Sequence, residues 1–469
     1  MMTATARPLA RRYDVIVIGG GNAALCAALE ARRGGRSVLI LEAAPRDMRG
    51  GNSRHTRNVR YLHQREDYYL GGAYTEDEFY QDLLQVTGGN TNEDLARLTI
   101  RSSEGVGQWM SGNGISWQGP LRGTLSLSRT NAFFLGGGKA LLNIYYETAG
   151  AMGIDSAFDA EVTGLELRPD AYHSVFVGHD PTRREFEAKV IVAAAGGFEA
   201  NLEWLAQYWG DAAKNFIIRG TPYNRGGLLR LLLDAGAKAI GDPREYHAVA
   251  CDARGPQVDG GIVTRLDSLP FGIVVNRDAQ RFSDEGIDFW PKRYASWGGL
   301  IARQPNQIAY SILDSTMTEA FMPSLYPAIR ADSLHELAVS LGLDPVALEA
   351  TVTRFNSAIT TGTYDATVLD DCATHGIEPA KSHWARPVST APYFAYPLRP
   401  GITFTYHGVG VDERAQVLGE DGKPLGNVFA AGEIMAGNVL GRGYMAGFGM
   451  TIGTVFGRIA GQEAARAIS

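Results

Sequence analysis

The pattern of apolar and polar positions is clearest in the stretch YDVIVIGGGNAALCAALEARRGGRSVLILEAAP. The run from Val15 to Ile18 is apolar throughout, which is typical of a buried parallel strand. A glycine turn follows, and the pattern then predicts a helix from about Ala23 to Arg33 and a second strand from Ser37 to Leu41. This stretch is therefore predicted to form a strand–helix–strand unit of an α/β fold.

The turn of this unit carries the small residues of a dinucleotide-binding fingerprint. Gly19 permits a tight turn, Gly21 lets the backbone approach a pyrophosphate, and Ala24 allows close packing of helix on strand. Glu42 follows about 20 residues later, at the end of the second strand, where a carboxylate can bind ribose hydroxyls. The alternative is a glycine-rich turn of some other α/β fold. The predicted cofactor-binding residues here are Gly19, Gly21, Asn22, Ala23, Ala24 and Glu42.

Three later segments extend the predicted cofactor site. The glycines of RGGNSRHT suit a second loop against a pyrophosphate, KVIVAAAGGFEAN is an apolar strand that ends in small residues, and GNVFAAGEIMAGN is a strand that stops at a glycine and a glutamate. Such widely separated strand ends imply a long cofactor. The residues predicted to contact it are Gly51, Asn52, Ser53, Ala195, Gly196, Gly432 and Glu433.

Composition places the chain among ordinary globular proteins, since 45% of its 469 residues are hydrophobic and 20% are charged. The net charge of −7 offers no general attraction to nucleic acid. Three widely spaced cysteines argue against a disulfide framework and an iron–sulfur cluster, and no metal site is predicted. No apolar run reaches the roughly 18 residues of a membrane span. We expect a cytoplasmic protein whose membrane contact, if any, goes through a partner.

These segments, together with VNRDAQRFSDEG and FGRIAGQEAA, resemble the flavoprotein family of fumarate reductases, succinate dehydrogenases and 3-ketosteroid dehydrogenases over nearly the whole chain. Within that family, DEGIDFWPKRYASWGGLIARQPNQIAYSILD and GRGYMAGFGMTIGTVFGRIAG look most similar to the tricarballylate dehydrogenase branch. The resemblance implies FAD as the cofactor and an α/β architecture: a Rossmann-like FAD-binding domain with an inserted α+β capping domain. His55 could suggest a histidyl-linked flavin, but its surroundings differ from those in succinate dehydrogenase, so noncovalent FAD is expected.

A change of composition agrees with this architecture. From about Ile240 to Leu398 the chain loses glycine-ended apolar strands and gains tryptophans, prolines and short amphipathic helices such as SLHELAVSLGL and DPVALEATVTRFNSAI. We therefore predict an FAD-binding domain over residues 1–239 and 399–469, and a capping, substrate-binding domain over residues 240–398.

The stretch GRGYMAGFGMTIG contains five glycines and predicts a glycine-lined turn before a helix from about Met450 to Ala465. Gly447, Gly449 and Met450 would let the flavin ring approach the helix N-terminus, where the helix dipole favours the negative charge of a reduced flavin. Arg442 is a candidate carboxylate clamp, because a guanidinium can bind a carboxylate through two hydrogen bonds. Tyr444 matches the family's arginine position in a gapless register and is a candidate catalytic residue, as a hydrogen-bond donor to substrate; a packed aromatic is the alternative. The alternative for this stretch is a flexible turn with a surface arginine.

Oxidation of a C–C single bond requires a group that removes a proton from the carbon next to the hydride donor. The resemblance implies that role for Arg293, although about four extra residues precede it and Lys292 is the alternative match. A family histidine and threonine that bind substrate correspond to His247 and Thr264. The family's glutamate–arginine relay is replaced here by Arg265 and Ser268, and an extra arginine suits a substrate with one more carboxylate.

The segment GITFTYHGVGVDE differs from the family, which has a histidine pair at this place. Thr405 is kept, and an extended strand would point His407 to the same face, where it would replace the missing histidine. A structural histidine is an equal alternative.

The sequence thus favours an FAD-dependent dehydrogenase that forms a double bond in a small polycarboxylate of the tricarballylate type, with hydride passing to flavin N5. The chain lacks haem or cluster ligands, so electrons are expected to leave through a separate acceptor protein or a quinone-linked, membrane-associated partner. Alternatives are fumarate-reductase-type alkene reduction, dehydrogenation of a bulky apolar ketone, and a nonredox FAD-binding scaffold. A ketone site would be lined by the aromatic residues Tyr246, Phe289, Trp290, Trp297 and Tyr444 instead of by arginines.

Overall fold

The computed structural model of the protein describes residues 3–4, 8–120, 127–168, 171–258, 260 and 263–468. Within these residues the strands are β1 (Thr3–Ala4), β2 (Arg12–Ile18), β3 (Val38–Leu41), β4 (Asn58–Arg60), β5 (Asn131–Phe133), β6 (Asp155–Phe158), β7 (Val162–Glu166), β8 (His173–Val177), β9 (Arg184–Ala193), β10 (Ile217–Ile218), β11 (Ala239–Ile240), β12 (Tyr246–Asp252), β13 (Ile273–Asn276), β14 (Ala309–Asp314), β15 (Ile329–Ala331), β16 (Tyr393–Thr405), β17 (Gly408–Val409), β18 (Gln416–Leu418) and β19 (Pro424–Ala430). The α-helices are α1 (Asn22–Arg33), α2 (Glu76–Thr87), α3 (Glu93–Ser103), α4 (Val106–Gly112), α5 (Gly137–Ala151), α6 (Leu202–Trp209), α7 (Gly227–Asp234), α8 (Trp290–Arg293), α9 (Trp297–Ala302), α10 (Leu334–Leu341), α11 (Pro345–Ser357) and α12 (Phe448–Arg466).

The larger sheet holds the strands that the sequence predicts to end at the cofactor. Its order is β1-β6-β3-β2-β9-β19-β18, with β8 paired to β9 and β7 paired to β8. Strands β6, β3, β2, β9 and β19 are parallel to their neighbours in this series. The carboxyl ends of β2, β3, β9 and β19 therefore meet at one edge of the sheet, which is where ligands bind in open parallel sheets.

Helices α1 and α12 pack closely together over this sheet. An added Cβ at Gly457 would lie 2.5 Å from the carbonyl oxygen of Ala23, and one at Gly461 would lie 2.3 Å from that of Ala27. The glycines of α12 thus allow its backbone to contact α1 directly. This packing brings the N-termini of both helices to the same edge of the sheet.

The smaller sheet has the order β10-β16-β14-β13, and β12 and β15 also pair with β16. Helices α10 and α11 pack on it through a separate apolar cluster that includes Leu337, Leu348 and Phe355. Strand β16 is 13 residues long, and its last residues, Thr403 to Thr405, extend to the edge of the larger sheet. The smaller sheet therefore delivers side chains to the same place as the four parallel strands.

The predicted fold class, a Rossmann-like α/β domain with an α+β cap, is confirmed. Helices α1 and α12 lie within two residues of their predicted limits. The strands of the smaller sheet lie between Ile217 and Thr405. The domain limits at 240 and 398 stay a prediction. In the described part of the chain, every helix is too short or too polar to cross a membrane.

Candidate active site

A long cavity runs between the edge of the larger sheet and the smaller sheet. Its walls contain fifteen of the sixteen predicted cofactor-binding residues: Gly19, Gly21, Asn22, Ala23, Glu42, Gly51, Asn52, Ser53, Ala195, Gly196, Gly432, Glu433, Gly447, Gly449 and Met450. The sixteenth, Ala24, is buried in the core beside the turn, where a small side chain permits close packing.

The first end of the cavity is built around Glu42. Its carboxylate accepts hydrogen bonds from the backbone N–H groups of Ala44 (2.9 Å) and Gly50 (3.1 Å), and burial raises its pKa. Gly19 has φ +115°, and an added Cβ would lie 2.2 Å from the carbonyl oxygen of Ala194. The glycine turn thus lies directly against the end of β9, and the carboxylate is held beside it.

The middle of the cavity is formed by the N-terminus of α1 and the loop around Ser53. Gly21 is the N-cap of α1 and provides no side-chain cap. Ser53 Oγ accepts a hydrogen bond from the backbone N–H of Asn22 (3.0 Å), which holds the loop against the helix. Gly21 itself offers no side-chain acceptor, and the remainder of this helix N-terminus is a site for an anionic group such as a pyrophosphate.

The far end of the main cavity is closed by the N-terminus of α12. Its N-cap, Gly447, has φ +79°, and an added Cβ would lie 2.5 Å from side-chain atoms of Asn58 and Asn131. Gly449 and Met450, in the first turn, also line the cavity. Two helix N-termini, a buried carboxylate at the end of β3 and glycines along the wall fit a dinucleotide that carries a flavin.

Three arginines converge on the wall of the cavity near α12, namely Arg57, Arg219 and Arg265. The Nε atom of each is buried and has no hydrogen-bonding partner among the described residues. Arg219 Nη1 donates to Thr403 Oγ1 (3.0 Å), and Arg265 Nη2 donates to Asp267 Oδ2 (2.6 Å). Burial lowers the pKa of Arg57 to about 10, and the nearby charges of Arg265 and Arg219 act in the same direction.

Asp267 is the carboxylate that forms an ion pair with this group of arginines, through Arg265. Asp267 also accepts a hydrogen bond from Trp290 Nε1 (2.6 Å), so both of its oxygens are engaged. Arg57 has no ion pair in the described part of the chain. This end of the cavity therefore carries an excess of positive charge, which suits an anionic ligand with more than one carboxylate.

Aromatic rings complete this wall. His247 stacks on Tyr444, with ring centroids 4.0 Å apart, and meets Tyr294 edge-on at 5.7 Å. Burial lowers the pKa of His247 well below its usual value, and Arg219 and Arg265 lower it further. Its imidazole is thus neutral at neutral pH, and its buried Nδ1 has no partner among the described residues.

The two predicted catalytic residues, Arg293 and Tyr444, both border a second, smaller cavity. Tyr444 separates this cavity from the main one, since its ring lines both. Arg293 is half-buried and does not reach the main cavity, whereas its neighbour Tyr294 does. The alternative match, Lys292, forms an ion pair with Asp82 (3.2 Å).

Of the predicted substrate-binding residues, His247 and Arg265 line the main cavity and four others do not. Arg442 is exposed, and Thr264 is buried beneath the wall with Oγ1 donating to the carbonyl of Gly260 (3.4 Å). Thr405 lies behind the wall and donates from its N–H (2.8 Å) and Oγ1 (3.2 Å) to the wall residue Glu433. His407 follows the end of β16, and its Nδ1 lies 3.1 Å from the carbonyl oxygen of Ile240.

Sequence reasoning missed Arg57, Arg219 and Tyr294. Arg57 lies two residues beyond the histidine of RGGNSRHT, so the basic character of that loop was a usable signal. Arg219 directly follows the two-residue strand β10, and no motif marks it. Tyr294 adjoins the residue that the resemblance selected.

Residues 14–449 match a protein family described as the FAD binding domain. The chain belongs to this family. It is 27% identical over 470 residues to a probable fumarate reductase of Shewanella frigidimarina, covering 97% of this chain and 75% of that protein. Its fold is similar to a flavocytochrome c3 fumarate reductase in an open conformation (TM-score 0.74, 24% identity, 98% of this chain and 79% of that one). It is likewise similar to 3-ketosteroid Δ4-(5α)-dehydrogenase from Rhodococcus jostii (TM-score 0.74, 20% identity, 98% of each chain).

Membership of this FAD-binding family confirms the predicted cofactor, FAD, and the predicted class, an FAD-dependent oxidoreductase related to the fumarate reductases. The tricarballylate branch and the roles of individual site residues stay predictions.

Proposed function

We propose that this flavoprotein oxidises a C–C single bond to a double bond in a small polycarboxylate of the tricarballylate type. The observation that carries the proposal is the convergence of Arg57, Arg219 and Arg265 on one end of the FAD cavity. Asp267 forms an ion pair with Arg265 there. An apolar ketone site would instead present aromatic rings alone. Of the five aromatics expected in such a site, Tyr246, Phe289 and Trp297 lie outside the cavity wall, which favours the polycarboxylate.

The arginines bind the substrate carboxylates and fix the carbon chain. Each has a buried Nε–H without a partner among the described residues, and an acceptor is therefore expected from the ligand. Arg219 and Arg265 are each anchored by one hydrogen bond, to Thr403 and Asp267, which restricts the direction of the remaining donors. Neutral His247 can accept or donate one hydrogen bond at Nδ1 without adding charge.

FAD, when bound, supplies the acceptor for the hydride. The proton from the neighbouring carbon must then pass to a side chain at this wall. Tyr294 reaches the main cavity among the arginines and would take this proton as the phenolate, after its own hydroxyl proton has passed to solvent. Burial raises the pKa of this phenol, and Arg265, Arg219 and Arg57 oppose that rise. Arg293, which the family resemblance selects, borders only the cavity behind Tyr444 and would act through that residue.

The same chain is proposed to work in the cytoplasm with noncovalent FAD and to pass electrons to a separate acceptor protein or quinone-linked partner. The reverse reaction, reduction of an unsaturated carboxylate, would use the same arginines. The direction of the reaction depends on the reduction potential of the electron acceptor. It is measured by comparing the rate of substrate oxidation with an electron-accepting dye and the rate of the reverse reduction with an electron-donating dye.

The test is anaerobic bleaching of the oxidised-flavin band when tricarballylate is added to the purified holoprotein. We expect bleaching in the wild type, slower bleaching in Arg219→Gln, and wild-type rates in Arg458→Gln. Arg458 is a matched control because its Nε is also buried without a partner in the described part of the chain, but the residue lies outside the cavity. A wild-type holoprotein that bleaches with an apolar ketone and not with any polycarboxylate would overturn the proposal. Arg293→Ala and Tyr294→Phe then separate the two routes for the proton.

A further inference from the structure

Two buried glutamates meet at the cofactor cavity, where Glu433 forms part of the wall and Glu199 lies behind it. Glu199 follows β9 and Glu433 follows β19, and these strands are parallel neighbours, so their carboxyl ends are adjacent. An added Cβ at Gly197 would lie 2.3 Å from Glu433 Oε1 and 2.9 Å from Glu199 Oε2. The two carboxyl groups therefore border the same small space beside Gly197, close enough for each to affect the other electrostatically.

Among the described residues, the hydrogen bonds around the pair leave a buried oxygen of Glu199 without a donor. Glu199 Oε1 accepts from Asn52 Nδ2 (2.6 Å) and Asn224 Nδ2 (2.7 Å), and Glu433 Oε1 accepts from the N–H and Oγ1 of Thr405. Glu199 Oε2 is buried and has no partner among the described residues. Ionised carboxylates only accept hydrogen bonds, so two facing carboxylates need a proton between them.

No side-chain cation compensates the pair in the described part of the chain. The titratable groups that face the glutamate pair are two phenols. Tyr406 directly follows β16, and Tyr444 lies in the turn before α12. His407 packs edge-on to Phe198, with centroids 6.2 Å apart, and its Nδ1 points to the carbonyl of Ile240. Burial raises the pKa of both glutamates, and the neighbouring carboxyl group of Glu199 raises the pKa of Glu433 further. A single retained proton accounts for the arrangement.

The pair joins the segments that form the cavity wall. Asn52, which bonds to Glu199, also donates to the carbonyl of Thr403 (2.6 Å) and accepts from the N–H of Thr221 (2.8 Å). Thr405 connects β16 of the smaller sheet to Glu433 of the larger one. We propose that Glu199 is a positioning residue of the FAD site, which shares one proton with Glu433 and thereby holds the loop at Asn52, the end of β16 and Glu433 in register around the cofactor.

This inference concerns FAD retention and is independent of the substrate. Apoprotein is titrated with FAD from pH 6 to pH 9, and the dissociation constant is read from quenching of flavin fluorescence. In the wild type we expect the affinity to fall by about tenfold or more across this range, because loss of one shared proton leaves two facing buried charges. In Glu199→Gln the amide provides a permanent donor toward Glu433, and we expect an affinity that stays constant with pH.

Glu245→Gln is the matched control, since burial also raises the pKa of Glu245 but the residue lies outside the cavity wall. It should keep the wild-type pH dependence. The pKa of Glu42 is also raised. Because Glu42 is present in the wild type and in both variants, its effect on the pH dependence of FAD affinity is the same in all three proteins. Parallel curves for wild type and Glu199→Gln would overturn the proposal. If that variant does not fold, an infrared spectrum of the wild-type protein serves instead: a protonated-carboxyl band that disappears between pH 6 and pH 9 supports the shared proton, and its absence refutes it.

Discussion

The imidazole of His247 and the phenol of Tyr444 stack with centroids 4.0 Å apart and planes only 9° from parallel. Tyr444 is fixed on its other side by a hydrogen bond in which its hydroxyl oxygen accepts from the N–H of Gly449 (3.1 Å). One ring thus connects the strand β12 of the smaller sheet with the first turn of α12. The same ring separates the FAD cavity from the smaller cavity that Arg293 borders.

Replacement of Tyr444 tests this partition. Tyr444→Phe keeps the stack on His247 and loses one hydrogen bond, so we expect kcat/KM to fall by about tenfold at most. Tyr444→Ala also removes the ring and joins the two cavities, so we expect a loss of about 100-fold or more, equivalent to roughly 3 kcal/mol. Steady-state kinetics with FAD content measured in parallel distinguishes these effects. Equal losses in both variants would mean that the hydroxyl, and not the ring, is what matters.

Arg57 is expected to contribute to discrimination between substrates. Since the proposed substrate is bound by all three arginines, Arg57→Gln should raise KM for tricarballylate by roughly 10- to 100-fold, the effect of one lost charge-assisted hydrogen bond. The increase for a dicarboxylate of the same chain type should be smaller, because two carboxylates can be bound by Arg219 and Arg265. Measurement of both KM values in wild type, Arg57→Gln and the control Arg458→Gln checks this. An equal increase in KM for both substrates would mean that Arg57 attracts anions through its charge but does not bind a particular carboxylate.

The buried His247 predicts a pH effect on stability. Because burial and the nearby arginines lower its folded-state pKa, the unfolded chain binds a proton first as the pH falls below about 6.5. His247 therefore contributes stability that is present above pH 6.5 and is lost as the pH falls towards its folded-state pKa. The free energy of unfolding of wild type relative to His247→Asn should decrease by up to about 1.4 kcal/mol per pH unit in this range. Urea unfolding with saturating FAD at pH 5 to 8 measures the difference, and a constant difference would show that His247 does not titrate.

The cofactor half of the site could be predicted because its signals are local. A strand, a glycine turn and a helix occur within one continuous stretch, and the role of each glycine follows from backbone geometry alone. Glu42 could be placed for the same reason, since the end of β3 must lie beside the end of β2 in a parallel sheet.

The substrate half could not be predicted in the same way, because it is assembled by tertiary contacts. Arg219 reaches the cavity only because β10 pairs with the distant strand β16. At Arg293 the α-helix α8 ends and a 3-10 turn follows over Tyr294–Ser296, and it is Tyr294, not Arg293, that lines the main cavity. A motif match along the sequence cannot distinguish two adjacent residues that point in different directions. At His407 the alternation of a strand no longer applies, since β16 ends at Thr405.

The N-cap of α12 predicts a steric effect on cofactor binding. Gly447→Ala places a methyl group at φ +79° and 2.5 Å from side-chain atoms of Asn58 and Asn131, so the wall must move. We expect a loss of roughly 2 kcal/mol or more in the free energy of unfolding and much weaker FAD binding. Gly35→Ala is the matched control: it has φ +83° but open space around its Cα, and it should lose only about 1 kcal/mol of stability and keep FAD. Similar FAD affinities in the two variants would contradict this account.

A buried lysine provides the last prediction. Lys381 is 1% exposed and its Nζ donates to the carbonyl oxygens of Pro270 and Gly272, each at 2.7 Å, which fixes the turn that follows Asp267. Burial lowers the pKa of Lys381 to about 8, despite the opposing charge of Glu285. The unfolded chain keeps this proton up to about pH 10.4, so between these two values the unfolded state binds more protons than the folded state and stability rises with pH.

Lys381→Met isolates this contribution, because methionine fills a similar volume without a charge. The free energy of unfolding of wild type relative to Lys381→Met should increase by roughly 3 kcal/mol between pH 8 and pH 10.4, which corresponds to about 1.4 kcal/mol per pH unit. Below pH 8 the difference should be constant, since the lysine is then charged in both states. Guanidinium unfolding at closely spaced pH values measures it. A difference that is flat above pH 8 would mean that Lys381 remains charged in the folded protein and that the two carbonyls fully compensate its burial.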